Sequence, residues 1–407
     1  MKKLVFRNGI YTVLRPLYYL FKVFGLASYS YVADRRNKRV TADYGYLNCM
    51  FTVIWLIVCT VGLLVEILTL NSTDFYSDTL LIAFKILIIS SHSSSIVAIV
   101  WVSFIKRRKF LEILESVSEV DNKVRYTLQE ETSMNRKVMF NITSETIILT
   151  VIRGTLILYD IYNMASEPYY KIIMHTISCV PDISNALVLF QFITLVFIVK
   201  QRYSHLNKRL NNWINGAVSL NKANVRCRQL ERAVDQVNIT RLFVSSVRNI
   251  EGTLRQTDIH LLRQIYSELY DITCLINDTY GVPILATTCW MLTVVVYSLY
   301  EALISFNMWG VSDVLYAITF SIFFFKVTFI CHTATNETRS SSILVQKLLL
   351  VGNCKNEMIE ELKLFSLQLQ VMTNEYTACG FFSLNLSLYT SVVSVIASYI
   401  IIMVQIK

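Results

Sequence analysis

Long apolar runs divide the chain at intervals that suit membrane helices. A helix needs about 20 mostly apolar residues to cross the hydrocarbon core of a bilayer. Runs of that length predict seven spans, at 45–69, 79–105, 138–163, 169–199, 281–306, 311–335 and 381–405. This pattern predicts an all-α, polytopic membrane protein with seven transmembrane helices.

Lysine and arginine cluster in alternate connecting segments, and this sets the expected orientation. Residues 1–44 hold nine of these basic residues and 106–137 hold eight, whereas 70–78 and 307–310 hold none. Because basic segments stay on the cytoplasmic side, the N-terminus is expected in the cytoplasm and the C-terminus outside the cell. That orientation is opposite to the one in a G-protein-coupled receptor. Asn71 begins an Asn-Ser-Thr acceptor in a predicted outside loop and is a candidate glycosylation site.

The segments between the spans also have helical spacing. Leu206, Leu210 and Ile214 predict a continuation of the fourth span, and Leu262 and Leu269 predict a helix that leads into the fifth. The expected organisation is a cytoplasmic N-terminal segment at 1–44, transmembrane helices 1–4 at 45–199, a cytoplasmic helical loop at 200–280, helices 5–6 at 281–335, a second cytoplasmic helical segment at 336–380 and a last transmembrane helix at 381–407.

Composition narrows the class of protein. The chain is 54% hydrophobic and only 16% charged, whereas soluble domains have about a quarter of their residues charged. The net charge of +9 comes from basic loops between apolar runs, so we expect no nucleic-acid partner. The chain has no Gly-rich phosphate loop, no Gly-x-Ser-x-Gly motif and no His/Glu metal box, so we expect no enzymatic activity, no cofactor and no metal site.

Small and polar residues form a stripe along the last predicted span. Steps of four, three, four, three and four residues connect Ser387, Ser391, Ser394, Ser398, Ile401 and Gln405. Such a face turns away from lipid, because unpaired polar groups are costly in hydrocarbon. One interpretation is close helix–helix packing through small residues. The other is a pore lining made of Ser391, Ser394, Ser398, Ile401 and Gln405, in which the Gln405 amide would coordinate hydrated cations.

A second set of side chains falls in the outer halves of the predicted spans. Ionisable residues inside a helical bundle are expensive and usually functional, and aromatic residues with converging polar groups are typical of a small-molecule pocket. The candidate pocket residues are Glu66, Lys85, Arg153, Asp160, Asp182, Tyr297, Tyr300, Glu301 and Tyr316. The alternative is that these residues are interfacial anchors and structural ion pairs.

The C-terminal residues resemble the signature of insect gustatory receptors. Ala378-Cys379-Gly380-Phe381-Phe382 leads into a last helix with Tyr399, five hydrophobic residues and then Gln405. In the family this helix carries Thr-Tyr, five hydrophobic residues and Gln-Phe. Ser398 stands here in place of Thr and keeps the hydroxyl, while Ile406 stands in place of Phe and removes a ring.

The resemblance implies a tetrameric, ligand-gated cation channel in the plasma membrane. Four last helices would line the pore with Gln405 at the gate, the outer halves of other spans would hold a small-molecule tastant, and 336–380 would belong to a cytoplasmic anchor. Sugar-receptor relatives commonly carry Glu directly after the Tyr, whereas this chain has Ile400, which argues against a sugar receptor. The partners implied are a tastant, permeating cations, membrane lipid and other subunits in a homo- or heterotetramer.

These observations favour a gustatory receptor that acts as a tastant-gated, non-selective cation channel. Three alternatives remain: an odorant-receptor-type channel subunit, a seven-helix G-protein-coupled receptor of the opposite orientation, and a secondary transporter that uses the outer-half charges. Against the transporter, the two halves of the chain show no repeat symmetry.

Overall fold

The computed structural model is helical along most of its length. It describes residues 5–7, 17–34, 39–43, 46–71, 79–124, 169–231, 256–304, 308–351 and 356–406, with isolated positions between 144 and 162. Besides a helical segment at 17–23, the main helices are α1 (Tyr46–Asn71), α2 (Thr79–Val100), α3 (Arg107–Val124), α4 (Tyr169–Glu231), α5 (Gln256–Ile304), α6 (Met308–Val351), α7 (Asn356–Val371) and α8 (Leu386–Ile406). A π-helical turn, Trp101–Ile105, follows α2.

Five stretches of the described helices are long and apolar enough to cross a membrane: Cys49–Leu68, Ile86–Ile105, Pro181–Ser219, Thr257–Leu303 and Val314–Val351. A shorter apolar helix covers Leu386–Ile402. These six stretches overlap six of the predicted spans, which confirms a polytopic helical membrane protein. The third predicted span, 138–163, lies outside the described residues apart from isolated positions. The count of seven and the orientation stay predictions.

The predicted helical continuations are confirmed. The fourth span continues without interruption to Glu231, and a single helix runs from Gln256 through the fifth span. Two small antiparallel sheets were not predicted. The first has the strand order β1–β3–β2, with β1 at Val5–Arg7, β2 at Ser30–Asp34 and β3 at Arg39–Asp43. The second pairs β4 (Thr377–Ala378) with β5 (Phe382–Ser383).

The chain divides into two compact units. The first comprises Met1–Val196, Cys274–His332 and Tyr376–Lys407, and the second comprises Phe197–Thr273 and Thr333–Glu375. The second unit overlaps the two segments predicted to be cytoplasmic, 200–280 and 336–380. The side of the membrane on which these segments lie stays a prediction.

In the first unit, the segment just before α1 is held by buried hydrogen bonds. Gly25 has a positive φ of 75° and its carbonyl accepts hydrogen bonds from Thr52 Oγ1 at 2.9 Å and Ser103 Oγ at 2.7 Å. Ser28 Oγ donates in turn to the Ser103 carbonyl at 2.8 Å. Ser103 lies in the π-helical turn, so this turn connects the N-terminal segment to the end of α2.

The second unit has a polar network and an aromatic core. Asn207 Nδ2 donates to the Glu337 carbonyl at 2.8 Å, and Ser341 Oγ donates to Asn207 Oδ1 at 2.6 Å. Tyr266 packs edge-on against Phe365, with ring centroids 5.9 Å apart. Both the nitrogen and the oxygen of the buried Asn207 amide are hydrogen-bonded. These contacts therefore fix the position of α4 along α6.

The last helix begins later than its hydropathy predicts. Cys379 and Gly380 have positive φ values of 52° and 76°, and the Phe381 N–H closes their turn on the Ala378 carbonyl at 3.0 Å. Two such residues in a row reverse the chain and cannot continue a helix. Asn385 then caps α8, because its Oδ1 accepts the Leu388 N–H at 2.9 Å. Residues 381–385, predicted as the start of the span, therefore belong to the hairpin and the cap.

Candidate functional site

A buried carboxylate joins three helices of the first unit. Asp182 on α4 is 7% exposed and accepts a hydrogen bond from Ser91 Oγ of α2 at 2.5 Å. Its second oxygen accepts the hydroxyl of Tyr316 on α6. One turn further along, Asn185 accepts from Ser94 Oγ at 3.1 Å and donates to the Ser91 carbonyl at 3.2 Å. We call Ser91, Ser94, Asp182, Asn185 and Tyr316 the polar cluster.

Aromatic rings of α5 and α6 lie beside the polar cluster. The rings of Tyr316 and Phe320 have centroids 5.0 Å apart, and Trp290 of α5 packs edge-on against Phe320 at 4.9 Å. Trp290 Nε1 and Ser184 Oγ are buried and make no hydrogen bond within the described part of the chain. The unused Trp290 donor among aromatic rings is suited to orient a small, mostly apolar molecule that carries a polar group.

Two of the predicted pocket residues, Asp182 and Tyr316, are in direct contact. Glu66 on α1 is buried, and Tyr297, Tyr300 and Glu301 are partly buried on α5. Whether these four contribute to the same pocket stays a prediction. The Lys85 side chain, Arg153 and Asp160 lie outside the part of the structure that can be described.

Sequence reasoning missed the partners of Asp182. Ser91 and Ser94 belong to the run Ser90-Ser91-His92-Ser93-Ser94-Ser95, a conspicuously polar stretch inside an apolar helix. That run was the available signal, because hydroxyls in a membrane helix need an acceptor on their own helix or on a neighbour. Asn185 lies one turn after Asp182 and carried the same signal.

A separate cavity of about 310 Å³ opens between α5, α6 and α8. It is lined by Leu299, Ala317, Ile318, Ser321, Ile322, Phe325 and Tyr389. Tyr389 of α8 packs edge-on against Phe325, with ring centroids 5.2 Å apart. None of the predicted pocket residues lines this cavity, although Leu299 and Ala317 are sequence neighbours of Tyr300 and Tyr316.

The polar stripe of α8 is exposed in the single chain. The exposed side chains are Ser387, Ser391, Ser394, Ser398, Ile401 and Gln405. The hydroxyls of Ser391, Ser394 and Ser398 each donate to the carbonyl four residues earlier, at 2.9, 3.1 and 2.9 Å. Their hydrogen-bond donors are therefore satisfied within the helix. Tyr399 of the family motif is also exposed.

Comparisons with known proteins give the family. Residues 14–407 match the model of the 7tm chemosensory receptor family. The fold is similar to that of the insect olfactory receptor OR5 from Machilis hrabei, with a TM-score of 0.72 and 12% identity over 97% of this chain and 98% of that one. The same receptor in complex with eugenol gives a TM-score of 0.70 and 12% identity over 98% and 99%. No curated protein matches in sequence.

At 12% identity, the likeness to OR5 concerns the fold alone. The match to the family model shows membership of the family, because it covers nearly the whole chain. Membership of a receptor family agrees with the prediction that the protein is not an enzyme, and with its place as a multi-pass protein of the plasma membrane. The chain belongs to the 7tm chemosensory receptor family.

Proposed function

We propose that the protein is a gustatory receptor that acts as a tastant-gated, non-selective cation channel. The observation that carries this proposal is the polar stripe of α8, which is exposed from Ser387 to Gln405. The spacing of Tyr399 and Gln405 resembles the gustatory signature and supports the choice of taste over smell. The orientation with an extracellular C-terminus is part of the proposal.

The stripe is suited to line a water-filled path. A face of serines cannot lie against hydrocarbon without cost, so it faces either another helix or water. The serine donors are already bonded to their own helix, which leaves acceptor oxygens for water and cations. Four chains, identical or different, would each contribute one α8 to the pore.

The polar cluster is the proposed site of the tastant. It connects α2, α4 and α6 through Asp182, and aromatic rings lie beside it. A ligand shifts the equilibrium between closed and open pores only if it binds one arrangement more tightly. A site made of three helices would meet this condition if the spacing of the helices differed between the two states, because each helix would contact the ligand.

Recording from cells that express this chain tests the pore. We expect Gln405→Glu and Gln405→Ala to change the relative permeability of Na⁺ and Ca²⁺ in currents evoked by a panel of sucrose, caffeine and eugenol, because charge and amide groups at a constriction set cation selectivity. Ile400→Ala is the matched control, since Ile400 lies on the opposite face of α8 at 100° per residue. Unaltered selectivity in both Gln405 variants, with normal surface expression, would remove Gln405 from the pore.

An odorant-receptor-type channel subunit is the second candidate. It is favoured by the likeness in fold to an olfactory receptor, one structure of which contains eugenol. Such a subunit would need a distinct co-receptor to conduct. Currents evoked in cells that express this chain alone favour the gustatory receptor, and currents that require an added co-receptor favour the odorant type.

A further inference from the structure

One turn of α5 holds the hairpin β4–β5 that leads into α8. Asn277 Oδ1 accepts the N–H of Thr377, the first residue of β4, at 3.3 Å. At Gly281, an added Cβ would lie 3.0 Å from the backbone nitrogen of Cys379 and 3.2 Å from its Sγ. The helix therefore contacts the hairpin at its reversing turn, and a residue larger than Gly281 would require the backbone of that turn to shift. We call Asn277–Gly281 and the hairpin the clamp.

A ring from α4 holds the same two elements. Phe192 lies 5.9 Å from Tyr280 of α5 and 6.3 Å from Tyr376, the residue before β4, measured between ring centroids. The Leu384 N–H donates to the Tyr376 carbonyl at 2.8 Å and closes the base of the hairpin. The start of α8 is thus fixed to α5 on one side and to α4 on the other.

The α5 turn is also tied to α2, which carries part of the polar cluster. Lys106, just after the π-helical turn, donates to both carboxylate oxygens of Asp278 at 2.8 and 2.7 Å. Nearer the polar cluster, Ser90 Oγ lies 3.2 Å from Thr293 Oγ1 of α5. A displacement of α2 therefore acts on the same turn of α5 that contacts the hairpin.

We propose that the clamp couples the ligand-binding helices to the pore helix, with Asn277 and Gly281 as positioning residues. This inference rests on the proposed channel function and assigns a role to the Ala378–Phe382 motif, which that function does not use. The hairpin is closed at its base by the Leu384–Tyr376 hydrogen bond, and Asn385 caps α8 directly after it. Movement of α5 is therefore passed on to the first turn of α8.

The test separates binding from opening. Gly281→Ala and Asn277→Ala are compared with Gly216→Ala, whose added Cβ meets nothing within 4 Å. The compound of the panel that evokes the largest current is used as the probe, and its binding is measured by thermal shift of the purified protein. We expect both clamp variants to bind this compound as the wild type does, while the maximal open probability falls by about tenfold, an ordinary magnitude for coupling between sites.

A second readout does not depend on current. The Cys379 side chain is exposed, but its Sγ would lie only 3.2 Å from a Cβ at Gly281, and desolvation raises the pKa of the thiol, which slows its reaction with a maleimide. Gly281→Ala pushes the turn away from α5, so we expect faster labelling of Cys379, followed by peptide mass spectrometry, and an unchanged rate in Gly216→Ala.

Each outcome decides something different. If a clamp variant loses binding in proportion to its loss of open probability, the coupling role is overturned. If no compound evokes current from the wild type, the proposed function fails, and the clamp is judged by labelling alone. An unchanged labelling rate in Gly281→Ala overturns the clamp itself.

Discussion

At the scale of single residues, Asp182 connects three of the transmembrane helices through hydrogen bonds. A buried carboxylate is costly unless hydrogen-bond donors surround it. Here hydroxyls from two other helices, Ser91 and Tyr316, donate to its two oxygens. The residue is therefore both a structural junction and the most polar point of the proposed tastant site.

Replacement of Asp182 separates these two roles. Asp182→Leu removes the acceptor of the buried Ser91 hydroxyl and of the half-buried Tyr316 hydroxyl, and we expect the free energy of unfolding to fall by about 1–3 kcal/mol. Asp182→Asn keeps one acceptor oxygen and can donate to the other hydroxyl, so its loss is expected to be smaller. Thermal unfolding of the detergent-solubilised protein measures both. Equal melting temperatures for wild type and Asp182→Leu would show that the carboxylate is not a junction.

At the scale of elements, close packing of α1 against α2 depends on a missing side chain. A Cβ added to Gly62 would lie 2.4 Å from Cε1 of His92, which is 1% exposed. Nearby, Cys59 Sγ lies 3.6 Å from Ser95 Oγ. Small residues at such contacts let helix backbones approach each other in a membrane. Gly62 therefore makes the space that the imidazole ring occupies.

This contact predicts a rescue. Gly62→Ala is expected to cost about 1–3 kcal/mol of stability through overpacking, although Ala is the better helix former. Adding His92→Ala removes the ring that clashes, so the double variant is expected to recover part of the loss and the two changes will not add. Gly216→Ala, which meets no neighbour, serves as the control and is expected to be neutral or stabilising. Additive losses in the Gly62/His92 pair would contradict the packing argument.

At the scale of the whole molecule, hydropathy predicted the long apolar helices, because these appear in an average over about 20 residues. The six apolar stretches that the structure describes were found because each is a long, continuous run. The hairpin was missed because apolar residues continue through Phe381 and Phe382, and only the positive φ values of Cys379 and Gly380 mark the reversal. The polar cluster was found in part, because hydropathy places Asp182 and Tyr316 at one depth but cannot pair residues that are 134 positions apart.

The orientation of the molecule is open to a direct test. Basic residues in alternate loops predict a cytoplasmic N-terminus and an extracellular C-terminus. We expect an antibody to reach an epitope tag at the C-terminus in intact cells, and to reach a tag at the N-terminus only after permeabilisation. The reverse labelling would indicate the orientation of a G-protein-coupled receptor. Labelling of both tags in intact cells would indicate an even number of spans.

The self-bonded serines of α8 have a consequence for how receptors diversify. Ser391, Ser394 and Ser398 donate to carbonyls of their own helix, so a neighbouring subunit need not supply matching acceptors. In the proposed pore, a ring of such helices would tolerate unlike members, since these serine hydroxyls need no acceptor from a neighbouring helix. A small repertoire of chains with this face would then yield many combinations of pore lining, each with its own permeation, without a change in any one chain.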